Sequence, residues 1–185
     1  MIIDINQHKI AIGDKYKIYV DNIEKYYASK HFFELMPIIN LFECDNARQR
    51  MIISKRMSWF KAKYEIQTSD NNLIEFKTKS IWKLHYQCQC GSDFYDIYGH
   101  IGRKYSVYKN ELQVAWWDKE AVSWFEGDNY KILADIDCDL DLIISFCLIV
   151  DNFSSNENDG NTVTYDFGNI GFQAKKFDEN WQPKD

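Results

Sequence analysis

The segment Asp139–Asn152, DLDLIISFCLIVDN, constrains this chain more than any other stretch. Its centre, Leu142–Val150, is the one long block with no charged residue, no glycine and no proline. A membrane-spanning helix needs about 20 apolar residues. This block has roughly half that length, so it is expected inside the protein rather than across a bilayer. A short apolar run fits a buried strand as well as a buried helix. Three features favour the helix. Asp139 or Asp141 can serve as N-cap, and both bring negative charge to the positive end of a helix dipole. A helix apolar on all sides needs enclosure on all sides, which a curved sheet of many strands supplies. Asp151-Asn152 then reads as a polar stop.

The upstream chain offers such a sheet. KYKIYV (Lys15–Val20) alternates, with Tyr16 and Ile18 on one face and Lys15, Lys17 and Tyr19 on the other. SWFKAKYEI (Ser58–Ile66) sets Phe60, Ala62, Tyr64 and Ile66 against Lys61, Lys63 and Glu65. The turn signal SDNN (Ser69–Asn72) follows, so this strand and the next form a hairpin. Leu73–Cys88 reads as one extended strand or as two with a bend. Further breaks at Gly99–Gly102, Lys109–Glu111, Asp118–Glu120 and Glu126–Asn129 repeat at about ten-residue intervals, the rhythm of an antiparallel sandwich or barrel. Lys30–Glu43 contains Pro37 and reads as strand and connection rather than continuous helix. The aromatic share of 16% fits many pleated, half-buried strands.

The five cysteines, Cys44, Cys88, Cys90, Cys138 and Cys147, are an odd number with no disulfide-framework spacing. The N-terminus shows no apolar run of signal-peptide length. Both predict a reducing, cytoplasmic setting. Net charge is −6 but uneven: residues 1–46 hold five Lys/Arg against seven Asp/Glu, residues 47–109 twelve against five, and residues 110–185 five against sixteen. The acidic total argues against nucleic acid as a partner, while the basic middle can attract phosphate.

The succession YDIYGHIGRKYSVYKNELQVAWWDKEAVSWFEGDNYKILADID, followed by the acidic lead and the apolar segment, resembles the LURP-one-related proteins. These share a superfamily with the tubby C-terminal domain and the phospholipid scramblases. The similarity rests on aromatic strands, on a Gly99-x-x-x-Arg103-Lys104-Tyr105 turn, and on GDNY at Gly127–Tyr130. It implies a mainly β fold: a roughly twelve-stranded antiparallel barrel enclosing a hydrophobic central helix at Leu140–Asn152. Residues 1–152 would form that domain, and residues 153–185 a polar, aromatic-containing extension expected to add a strand or hairpin or to be mobile. The chain departs from the family by continuing past the helix. It also lacks the scramblases' cysteine cluster and proline-rich leader, so lipid movement is not expected.

Chemistry-bearing motifs are weak. Asp135, Asp137, Asp139 and Asp141 alternate, but Leu140 and Phe146 stand where a calcium loop needs Gly and Glu. The row reads as the wet face of a strand entering the helix. His85-x-x-Cys88-x-Cys90 has no second ligand pair, and a strand turns His85 away from both thiols. No catalytic residue, metal or cofactor is assigned. A small hydrolase or ligand-converting barrel, with His100 as base and Cys90 as the other candidate, is the alternative. The leading expectation is a non-enzymatic binding or scaffold domain. Its partner is a protein or an anionic phospholipid headgroup at a membrane surface, since the tubby branch binds phosphoinositides through basic barrel residues. The residues expected to carry this are Lys61, Lys63, Lys77 and Lys79 on neighbouring strands, with Arg103 and Lys104 at a rim. Glu65 and Glu75 on the same strands would neutralise part of the patch.

Overall fold

A computed structural model describes residues 1–9, 14–33, 36–57, 63–81, 83–120, 129–156 and 174–184. The chain rises and falls through twelve strands: β1 (Ile2–Lys9), β2 (Asp14–Val20), β3 (Ile23–Phe33), β4 (Met36–Glu43), β5 (Gln49–Lys55), β6 (Lys63–Thr68), β7 (Leu73–Ser80), β8 (His85–Cys90), β9 (Asp93–His100), β10 (Lys104–Lys109), β11 (Leu112–Glu120) and β12 (Asn129–Ala134). Each pairs antiparallel with its neighbours in sequence, and β1 closes the barrel against β12, with Ile3 opposite Ile132 and Ile5 opposite Tyr130. The helix α1 (Leu140–Asn156) follows β12.

Strand alternation fixes the inside. Ile3, Ile5, Ile18, Leu41, Ile53, Ile66, Phe76, Ile97, Val107 and Ile132 are fully buried. They line a lumen that α1 fills. Every residue from Asp141 to Asn152 is buried, so the helix has no solvent face within the barrel. The expected burial of Ile143, Ile144, Phe146, Cys147, Leu148 and Ile149 holds, each at 0–1% exposure. Phe146 packs against the rings of Phe76 and Tyr95, with centroids 5.8 and 5.5 Å away.

The helix starts as expected and ends later. Asp139 is the cap, its Oδ1 accepting from Leu142 N at 3.1 Å. Asp141 instead pairs with Arg50 of β5, whose Nε donates to Oδ2 at 2.8 Å. The polar stop at Asp151-Asn152 is corrected, because both side chains are satisfied inside the barrel. Tyr16 donates to Asp151 Oδ2 at 3.0 Å, Tyr130 donates to Oδ1, and Asn152 Nδ2 donates to Tyr64 Oη at 2.9 Å. Lys119 Nζ lies 3.8 Å from Asp151. A polar residue ends a helix only if it has to reach water, and these do not.

The barrel's two ends differ. Where α1 begins, hairpins are tight: Asp21-Asn22 and Asn110-Glu111 both have two consecutive positive φ values, the turn that matches strand twist. Leu73–Cys88 resolves into two strands separated by a turn. The expected break at Asp118–Glu120 is instead continuous β11, where Asp118 faces Lys131 across the β11–β12 pair. Gly99 is required by packing, since a Cβ there would sit 2.6 Å from Leu84 Cβ. Among the described residues, no helix is long and apolar enough to cross a membrane.

Candidate functional site

Four of the six basic candidates can be placed on the barrel wall or its rim with their partners, one more is fixed by its backbone, and Lys61 lies outside the described residues. Lys63 of β6 and Lys77 of β7 stand directly opposite one another. Lys79 is two residues further along β7, so the three share the outer face. Glu75 lies between them: Lys63 Nζ is 3.0 Å from its Oε1, and Lys77 Nζ is 3.5 Å from its Oε2. The hydrogen bond from Lys63 is the main reason the Glu75 carboxyl is held below its usual 4.5. Arg56 closes on Glu65 through two contacts, 2.5 and 3.1 Å. Lys79 has a neutral partner, Gln87 Oε1, at 3.4 Å. The wall is therefore basic but internally paired, as the glutamates in the sequence foretold.

Two shallow grooves cross this wall. One, of about 310 Å³, is bordered by Arg56, Lys63, Glu65, Leu73 and Glu75. The other, of about 300 Å³, is bordered by Glu75, Lys77, Gln87, Gln89 and Phe94. Leu73 and Phe94 are 63% and 46% exposed, which puts apolar surface beside the charges.

Arg103 and Lys104 do not join the cluster. They lie at the start of β10, four strands from β6, or about 19 Å around the wall at the usual strand spacing. Arg103 is exposed in the β9–β10 turn at φ 63. Lys104 Nζ sits 5.8 Å from the Trp116 ring and 5.2 Å from that of Phe177.

The candidates for catalysis separate as well. His100 is 2% exposed, with Nε2 2.6 Å from Ser106 Oγ and its ring 5.1 Å from that of Phe177. Cys90 is at the opposite end of the β8–β9 hairpin, on the order of 20 Å away along the strands. All five thiols are reduced, and burial raises each of them above the ordinary range, Cys88 to about 12 and Cys138 to about 11. Protonated thiols are poor nucleophiles and poor metal ligands.

The four aspartates have four different environments, which corrects their reading as one wet row. Asp135 is buried and accepts from Lys184 N at 2.7 Å. Asp137 is exposed, Asp139 caps α1, and Asp141 holds Arg50. His85 bonds Asp96 at 2.7 Å and stacks on Tyr98 outside the barrel, while Cys88 points into the core. Among the described residues, no three His, Cys, Asp or Glu side chains converge as a metal site.

Sequence reasoning missed two features: the polar knot around Asp151, and the docking of residues 174–184 on the wall of β9, β10 and β11. Only the tyrosine content of β2 and β12 hinted at the first. The aromatic residues after the helix hinted at the second. Comparison with protein-family models, with curated proteins and with solved structures found no significant match.

Proposed function

We propose that this chain is a non-enzymatic binding domain of the LURP-one-related, tubby-like type, working in the cytoplasm, and that its outer wall at β6, β7 and β8 meets phosphate-bearing groups such as anionic membrane headgroups. The supporting observation is the facing pair Lys63 and Lys77 with Lys79 beside them. A filled lumen supports it too, because a ligand of this barrel has to be met outside. Free thiols fit a reducing compartment. The hydrolase reading has one favourable contact, His100 to Ser106, but both side chains are covered and border neither groove.

Glu75 already occupies the two lysines, so a phosphate must displace it. Binding should then be weak and strongly salt-sensitive. Co-sedimentation with vesicles containing an anionic phospholipid, at low salt, tests this. Glu75→Gln should raise the bound fraction at limiting lipid, with an affinity gain of about three- to fivefold, the scale of an exposed ion pair. Lys63→Glu, Lys77→Glu and Lys79→Glu together should abolish pelleting. Pelleting that ignores both changes, or none with wild type, sinks the proposal.

A further inference from the structure

A second surface lies beside the first, on the adjoining strands of the barrel, and it goes beyond the phosphate reading. On β9, β10 and β11 the alternation of buried and exposed residues fails. His100, Ser106, Tyr108 and Gln113 are outward by register yet only 1–8% exposed. Residues 174–184 lie against His100 and Tyr108. The Phe177 ring rests between His100 and Trp116, with centroids 5.1 and 5.4 Å away, and Lys104 Nζ is 5.2 Å from it. Lys175 Nζ stands 3.4 Å over the Tyr108 ring. At the far end Lys184 is clamped through its backbone, its N donating to Asp135 Oδ1 at 2.7 Å and its O accepting from Ile136 N at 3.2 Å.

Residues 174–184 do not extend the sheet; the stretch expected to add a strand or hairpin or to be mobile also includes residues 157–173, which lie outside the described residues. A closed barrel has no free edge to extend. Docking relies instead on an aromatic anchor, a cation over a ring and a short main-chain clamp, joined by a turn in which Asn180 N donates to Asp178 Oδ1 at 2.9 Å.

What lies beneath the segment is informative. The wall is polar: His100 Nε2 lies 2.6 Å from Ser106 Oγ, and Tyr108 Oη donates to Gln113 Oε1 at 2.8 Å. Those bonds do not depend on the segment. Gln113 Nε2 is buried with no hydrogen-bond partner among the described residues, and water satisfies such a group wherever a wall is bare. Such a wall is suited to being uncovered.

We propose that the β9–β11 wall is a peptide-docking groove, that residues 174–184 are its tethered occupant, and that it accepts in trans a short peptide of the same chemistry and the same turn: a lysine, a phenylalanine two residues on, an adjacent acid that holds the turn, and a free main chain to meet Asp135 and Ile136. The tether makes the chain its own competitor. A segment held in cis acts at an effective concentration of order millimolar, so an incoming peptide binds the intact chain at a large apparent disadvantage.

The experiment inserts a protease recognition sequence after Asn161 in the full chain and measures binding of a fluorescent peptide, AKKFDENWQPK (residues 174–184), by anisotropy before and after cleavage. Cleavage at low protein concentration should tighten binding about tenfold or more. The same peptide with alanine in place of Phe177 should not bind the cleaved protein. Trp116→Ala in the barrel should remove binding of the unmodified peptide, and the alanine peptide supplies the same control on an unaltered barrel. Equal binding before and after cleavage, or equal binding of both peptides, overturns the proposal. Loss of native circular dichroism on cleavage also overturns it, because the segment would then be part of the fold.

Discussion

At the residue scale, Glu75 links the charge pattern to the proposed binding. Its hydrogen bond from Lys63, followed by the fields of Lys63 and Lys77, outweighs its modest desolvation and lowers its pKa. A carboxyl with a lowered folded-state pKa contributes stability that is present above its unfolded value and lost as pH falls through the folded one. For Glu75 that window lies below its usual 4.5. Because the side chain is 48% exposed, the stability involved is small, but the titration itself is diagnostic. Lys63→Met should bring the Glu75 carboxyl back up towards 4.5, followed by NMR against pH. An unchanged titration would mean that the lysine does not hold it. Asp141 is the opposite case: desolvation raises its carboxyl, with Arg50 as the chief opposing influence. Its contribution is therefore fully present below the unfolded value and fades as pH rises through the folded one.

At the scale of elements, α1 was the most legible part of the sequence. An apolar block with an acidic cap specifies a helix that needs wrapping, and Asp139 caps it. The far end was misread because Asp151 and Asn152 look like a stop, while the hydroxyls that satisfy them come from residues far away in sequence, Tyr16, Tyr64 and Tyr130. Likewise, charges at Asp118–Glu120 suggested a break, yet outward positions on a strand tolerate charge when the neighbour offers the opposite sign, as Lys131 does. Of the binding candidates, Lys63, Lys77 and Lys79 were legible because alternation fixes the outer face. The position of Arg103 and Lys104 was not, since it depends on how many strands intervene. The helix account makes a sharp prediction. Phe146→Asp places an unpaired carboxylate against Phe76 and Tyr95 and should lower Tm by about 10 °C or more, corresponding to several kcal/mol. An unchanged thermal melt would show that Phe146 is not enclosed.

At the scale of the whole molecule, closure is what local pattern could not supply. The seam joins β1 to β12, more than a hundred residues apart; strand rhythm left sandwich and barrel both open, and the resemblance to a barrel family pointed to closure. Once closed around α1, the barrel has its lumen occupied by the helix and no free edge, and both proposals lie on its walls. The basic β6–β8 face and the covered β9–β11 face carry the two proposed activities, and both depend on the lumen being filled by the helix. Native-state hydrogen exchange tests that enclosure most directly. If α1 is the core of the barrel, the amides of Phe146–Val150 should exchange only through global unfolding, with an opening free energy equal to the stability measured by denaturant. Exchange of those amides at a markedly lower free energy, while the strands stay protected, would contradict it, because the helix would then leave a barrel that stands without it.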